Sequence, residues 1–148
     1  MSYVIVFENP EDSNRISIMT PTGEVSIDEL IRLQIDITKP YKIMLSSGLP
    51  YEDNVFFEAW KLINDTIIID LEKSKEIHRN ILRQERTKLF SDLDIQFMRA
   101  IEQGDTIKQQ EISTKKQKLR DLPSHSAIQS ASTTAELRSL TLDFLMNL

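Results

Sequence analysis

The chain has 148 residues, 40% of them hydrophobic and 28% charged, with a net charge of −5, the length and balance of one ordinary domain or of a small domain with a helical appendage. With no cysteine, three glycines and two histidines, His78 and His125, in separate segments, it offers no disulfide framework, thiolate nucleophile, Cys-based metal site, glycine-rich phosphate cradle or two-histidine metalloprotease helix. No cofactor and no metal are therefore expected.

The first stretch reads as β structure. Tyr3–Phe7 and Ile16–Met19 are short and rich in β-branched or aromatic residues, and the turn-forming segment Asn9–Asn14 between them makes a hairpin. Thr20-Pro-Thr-Gly23 is a turn, and Ser26-x-x-Glu29 has the spacing of a capping box. A short helix carrying Ile27, Leu30, Ile31 and Gln34 should follow, ending before Pro40. Tyr41–Leu45 is another strand, closed by the breaker Ser46-Ser-Gly-Leu-Pro50. Val55–Trp60 concentrates aromatic residues and fits strand or helix; periodicity cannot settle so short a run. Trp60, with Phe56 and Phe57, reads as core.

From Asp70 the character changes: there is no glycine before Gly104 and no proline before Pro123. Asp70 is a candidate N-cap, and Leu82, Leu89, Leu93, Phe97 and Ala100 recur on one helical face. A helix over 71–102 would be about 48 Å long, long enough to require a partner, in its own chain or in another copy. Glu102-Gln-Gly-Asp105 supplies a C-terminal glycine and the N-cap of a second arm, 106–120, so a helical hairpin is expected. Asp121–Ser126 is a break. Residues 124–132 read as a Ser/Thr-rich linker, and Thr133-x-x-Glu136 opens a terminal helix, 133–148, with an apolar stripe at Leu137, Leu140, Phe144, Leu145 and Leu148. The expected fold class is α+β: a small β-containing domain over 1–69, a hairpin over 70–123, then the linker and a helix that docks on its own chain.

Charge follows the same division. Residues 1–70 carry −7 and residues 71–123 carry +3. Arg79, Arg83 and Arg86 line one helical face and could meet phosphates, but Glu76 and Glu85 sit three or four positions from basic residues, the geometry of intrahelical pairs. Nucleic acid is thus the lesser reading. Carboxylate pairs such as Asp92/Asp94 diverge on a helix rather than converging on a cleft, and His78 reads as a surface or partly covered side chain, so no catalytic residue is assigned. The longest apolar runs, such as Ile67–Ile69, fall far below the roughly 20 residues of a membrane span, and Met1–Glu8 lacks the basic leader of a signal peptide. A soluble protein is expected.

His78-Arg79, Arg83-x-x-Arg86-x-x-Leu89-x-x-x-Leu93-Asp94, and the closing Leu119-Arg120-Asp121-Leu122-Pro123 together resemble the tail assembly chaperones and small tail-fibre-associated proteins of tailed bacteriophages. The likeness covers roughly residues 76–123. That family places Trp after the acidic residue, where this chain has Ile95. The resemblance implies a non-enzymatic protein that binds a phage tail or tail-fibre protein, or a second copy through the long helix. It would act in the host cytoplasm during assembly or be retained in the virion tail. The implied contact residues are Arg79, Arg83, Arg86, Leu89, Leu93, Phe97, Leu119, Arg120 and Asp121. In physical terms, Arg120 and Asp121 at the helix end should clamp the turn by a charge-assisted bond, with Pro123 stopping the helix.

Overall fold

The computed structural model describes residues 2–148. The fold is α+β, and the chain divides into two compact units between Ser74 and Lys75, four residues into the long helix rather than at its start.

The first unit is built on a three-stranded antiparallel sheet of order β2-β1-β3, formed by β1 (Tyr3–Glu8), β2 (Ile16–Met19) and β3 (Tyr41–Leu45). The period-two alternation of β1 feeds two cores. Val4 and Val6 face Ile16, Leu49 and Trp60, whereas Ile5 packs with Ile31 and Ile35 on the other side. The second face is covered by α1 (Ile27–Gln34). Its N-cap forms as expected in one half only. Ser26 Oγ accepts from the Glu29 amide at 3.2 Å, but the Glu29 carboxylate turns to Arg32 instead of reaching back.

The ambiguous aromatic segment resolves into both candidates in succession. Tyr51–Ala59 forms 3-10 turns, and Trp60 begins β4 (Trp60–Ile63), which pairs with β5 (Thr66–Ile69). Ile67–Ile69, read above only as an apolar run, is thus a strand. Its hairpin turns on Asn64 and Asp65, both at positive φ (50° and 60°). That conformation is the one a two-residue turn matched to strand twist demands, and Asn and Asp tolerate it best after glycine. Trp60 is buried and its indole N–H donates to the Asp53 carbonyl at 3.1 Å, which satisfies the one polar atom of the largest core side chain.

The second unit, Lys75–Leu148, is helical. The helix α2 (Leu71–Glu102) opens on Asp70, whose carboxylate accepts from the Lys73 amide at 3.1 Å. It closes at Gly104 (φ +66°): the Gly104 amide donates to Ile101 and the Asp105 amide to Ala100, the paired bonds of a Schellman motif. Asp105 then caps α3 (Thr106–Asp121), accepting from the Lys108 amide at 2.9 Å. One residue therefore ends one helix and starts the next.

Residues 124–132 depart from the expected linker. They contain α4 (Ser126–Ser130), with Ile128 fully buried and Ala131 nearly so. The expected terminal helix is likewise two short ones, α5 (Thr134–Ser139) and α6 (Leu142–Met146), which bury Leu137 and Leu145. The break falls at Leu140, with Thr141 as the cap of α6. Of the stripe expected on one helix, Leu137, Leu140 and Leu145 are buried, whereas Phe144 and Leu148 beyond the break are exposed. Hairpin, α4, α5 and α6 make one compact unit. Among the described residues no helix is long and apolar enough to cross a membrane.

Candidate functional site

The basic residues of the second unit have a common occupation. Each short helix that ends in this unit leaves carbonyls without an intrahelical donor, and cationic or imidazole side chains supply the missing hydrogens. Lys75 Nζ donates to the Gln129 carbonyl at the end of α4 (2.8 Å). His78 Nε2 lies 2.8 Å from the Leu140 carbonyl at the end of α5; a carbonyl only accepts, so this nitrogen carries the proton. Lys118 Nζ donates to the carbonyl of Met146, the last residue of α6, and to that of Leu148 just beyond (2.7 and 2.9 Å). Cations at helix C-termini also meet the negative end of the helix dipole. His78, expected as a surface or partly covered side chain, is buried at 7% exposure.

Arg86 makes the most informative of these contacts. Its Nη1 donates to the carbonyls of Leu119 (3.0 Å) and Arg120 (2.9 Å), and its guanidinium lies 5.7 Å from the centre of the Phe90 ring. Pro123 has no N–H, so the Leu119 carbonyl four residues back has no α-helical donor and the Arg120 carbonyl no 3-10 donor. Arg86 replaces both. The Arg120–Asp121 clamp expected from the sequence does not form: Arg120 donates to Gln117 Oε1 (3.2 Å) and Asp121 accepts from Gln117 Nε2 (3.1 Å). Both bonds lie within α3 and leave the helix end to Arg86.

The remaining sequence-assigned residues separate. Arg79 donates to Gln129 Oε1 (2.8 Å) and pairs with Glu76; Arg83 is held by Glu76 (3.1 Å) and Asn80 (2.5 Å). Phe97 lies beneath Lys116, which is itself paired with Asp94 at 2.5 Å. Leu89, Leu93 and Leu119, by contrast, come together. They line a groove of about 540 Å³ with Leu142 and Met146 of α6, and Thr114, Lys115, Lys118, Asp143 and Asn147 contribute its polar lining. This size and mixture suit a few apolar side chains presented by a helix or an extended segment.

The contributions of Leu142 and Met146 were not legible in the sequence, since they depend on where α6 comes to rest. The capping roles of Lys75, His78 and Lys118 were missed for a related reason. Every helix end leaves orphaned carbonyls, but no local pattern says which distant cation reaches them. Among the described residues no group of three or more histidine, aspartate or glutamate side chains is placed to hold a metal. Compared with family models, with curated proteins and with solved structures, the chain gives no match.

Proposed function

We propose that this chain is a non-enzymatic, tail-associated protein of a tailed bacteriophage or prophage, an assembly factor or small structural component that binds another tail protein through its helical hairpin. The reading rests on the likeness of residues 76–123 to that family. One observation carries it further: Leu89, half-buried, opens on a groove floored by the buried Leu93 and Leu119, all three within the resembling segment. A binding surface built this way puts apolar anchors at the centre and charged groups at the rim. Apolar side chains are also exposed toward the closed end of the hairpin, at Ile95, Met98, Ile101 and Ile107, where a contact with a tail component or a second copy would bury them. Such a protein would act in the host cytoplasm and, as a structural component, persist in the tail. The nucleic-acid alternative draws less support, because Arg79 and Arg86 spend their donors on Gln129 and on helix-end carbonyls.

The test is capture of a tail protein from phage-producing cells by tagged wild type and by Leu89→Glu, a change at a half-buried groove position. Recovery of a tail or tail-fibre protein by wild type and its loss in the folded variant is the expected result. Recovery of no tail component, or equal recovery by both, would overturn the reading. Mass spectrometry of purified particles against lysate then separates a virion part from an assembly factor.

A further inference from the structure

The sheet of the first unit has an edge that ordinary devices leave open. In the β1–β3 ladder, Tyr3 opposes Leu45, Ile5 opposes Ile43 and Phe7 opposes Tyr41. The Glu8 amide donates to the Pro40 carbonyl and the Ser46 amide to the Ser2 carbonyl. Bonded and non-bonded pairs alternate in an antiparallel ladder, so Lys42 and Met44 spend their backbone groups on β1. Tyr41 and Ile43 therefore turn N–H and C=O outward, and Leu45 turns its N–H outward.

Among the described residues no other strand pairs with this edge. Edge strands are commonly blunted by a charged side chain, a bulge or a proline. Here Lys42, the one charge on β3, is drawn away to the Asp65 carbonyl at 2.6 Å, and the five residues run without a bulge. Pro40 stands before the strand, outside the free stretch.

We propose that this edge pairs antiparallel with the β3 edge of a second copy, about a two-fold axis at Ile43, to join two three-stranded sheets into one. The inference is independent of the tail-protein reading. The pattern of free groups is symmetric about that residue. Ile43 exchanges both its bonds with Ile43 of the second copy, and the Leu45 amide meets the Tyr41 carbonyl across the axis. Lys42 comes opposite Met44, so the register sets no like charges face to face, whereas a strand of another sequence would need its own matching register. An isologous contact of this kind closes at two copies. The competing edge, β2, offers less: its ladder with β1 is bonded at Asn9/Arg15 and so at Phe7/Ser17 and Ile5/Met19, leaving only Ile16 and Ile18 outward within the strand.

The pairing has a distinctive salt response. Residues 1–70 carry −7, so two such units repel, and added salt strengthens the dimer by screening. A contact driven by the basic hairpin against an acidic partner would weaken instead.

Sedimentation equilibrium on the full chain, up to about 1 mM, tests the proposal alongside amide exchange followed residue by residue. Wild type should approach twice the chain mass. The Ile43 and Leu45 amides should gain protection with concentration while Lys42 and Met44 stay protected throughout. Ile43→Pro removes an amide that β1 does not use, and Ile43→Lys keeps the whole backbone but sets two cations face to face on the axis. Each should weaken association about tenfold or more, and Ile43→Lys should leave the circular dichroism spectrum unchanged. A wild type monomeric at the highest concentration, a dimer unaffected by Ile43→Lys, or protection that does not fall on Ile43 and Leu45 overturns the proposal.

Discussion

Arg86 offers the sharpest test of how the second unit is held. Replacing it by Met keeps an unbranched apolar stem of similar reach over Phe90 but removes the donors to the Leu119 and Arg120 carbonyls. The two lost bonds are not equal. Arg120 is exposed, so water can replace the bond to its carbonyl at little cost; Leu119 is fully buried and Pro123 denies its carbonyl the α-helical donor. A hydrogen bond from a charged donor contributes about 1.5–3 kcal/mol, and the contact with Phe90 adds about 0.5 kcal/mol. Arg86→Met should thus destabilise by about 2 kcal/mol, measured as the urea midpoint of the far-ultraviolet circular dichroism signal, with its slope unchanged. The double-mutant cycle with Pro123→Ala is more specific. Alanine restores an amide four residues beyond Leu119, so the two changes should be coupled by about 1 kcal/mol, Arg86→Met costing less in the Pro123→Ala background. A cost below about 0.3 kcal/mol for Arg86→Met, or additivity in the cycle, would refute the replacement of missing helical donors by Arg86.

Other consequences follow from the same geometry. Ile128→Ala, in the segment read from sequence as a linker, should cost about 2–4 kcal/mol because the side chain is fully buried, whereas Ser130→Ala nearby should be close to neutral in the same denaturation assay. Gly104→Ala should cost about 1 kcal/mol: a Cβ there meets nothing within 4 Å, so the penalty is that of φ +66° alone, and Gly104→Asn should recover part of it. Asp70 is held below the usual carboxylate range by the Lys73 amide first and then by Lys61, which lies 3.2 Å away. Since its folded-state value is depressed, its stabilisation is fully present above the ordinary carboxylate pKa and is lost as pH falls through the folded value. Asp70→Asn keeps the cap and should flatten that acid-side loss, while Asp70→Ala should lose about 1 kcal/mol at neutral pH; an unaltered pH profile in Asp70→Asn would contradict the assignment.

Local chemistry announced itself well in this chain. The β1–β2 hairpin, the Ser26 and Thr133 caps, and the Gly104–Asp105 junction each depend on residues within a turn of one another, and the structure places them where the spacing indicates. Even so, the carboxylates of the two capping boxes found other partners. Glu29 went to Arg32, and Glu136 to the amide and hydroxyl of Ser132, whose bonds hold it below the usual carboxylate range. The β4–β5 hairpin escaped notice because its turn uses Asn64-Asp65 with no glycine, and because Ile67–Ile69 lacks the alternation that marks a half-buried strand.

What the sequence determined by itself is the division of the chain: an acidic, aromatic-bearing β part, and a long helix turning at Gly104 into a basic second arm. Periodicity, caps and turn residues act over a few positions, and a linear string records them completely. What only the tertiary structure decided is the use of the basic residues and the fate of the last 25. Arg79, Arg83 and Arg86 look alike as a row on one helical face. Arg86 alone reaches the carbonyls stranded by Pro123, 33 and 34 positions away. Likewise α4, α5 and α6 are too short to hold on propensity and form because Ile128, Leu137 and Leu145 find a buried place. Burial and the pairing of stranded polar groups are properties of distant segments brought together, which no spacing along the chain encodes.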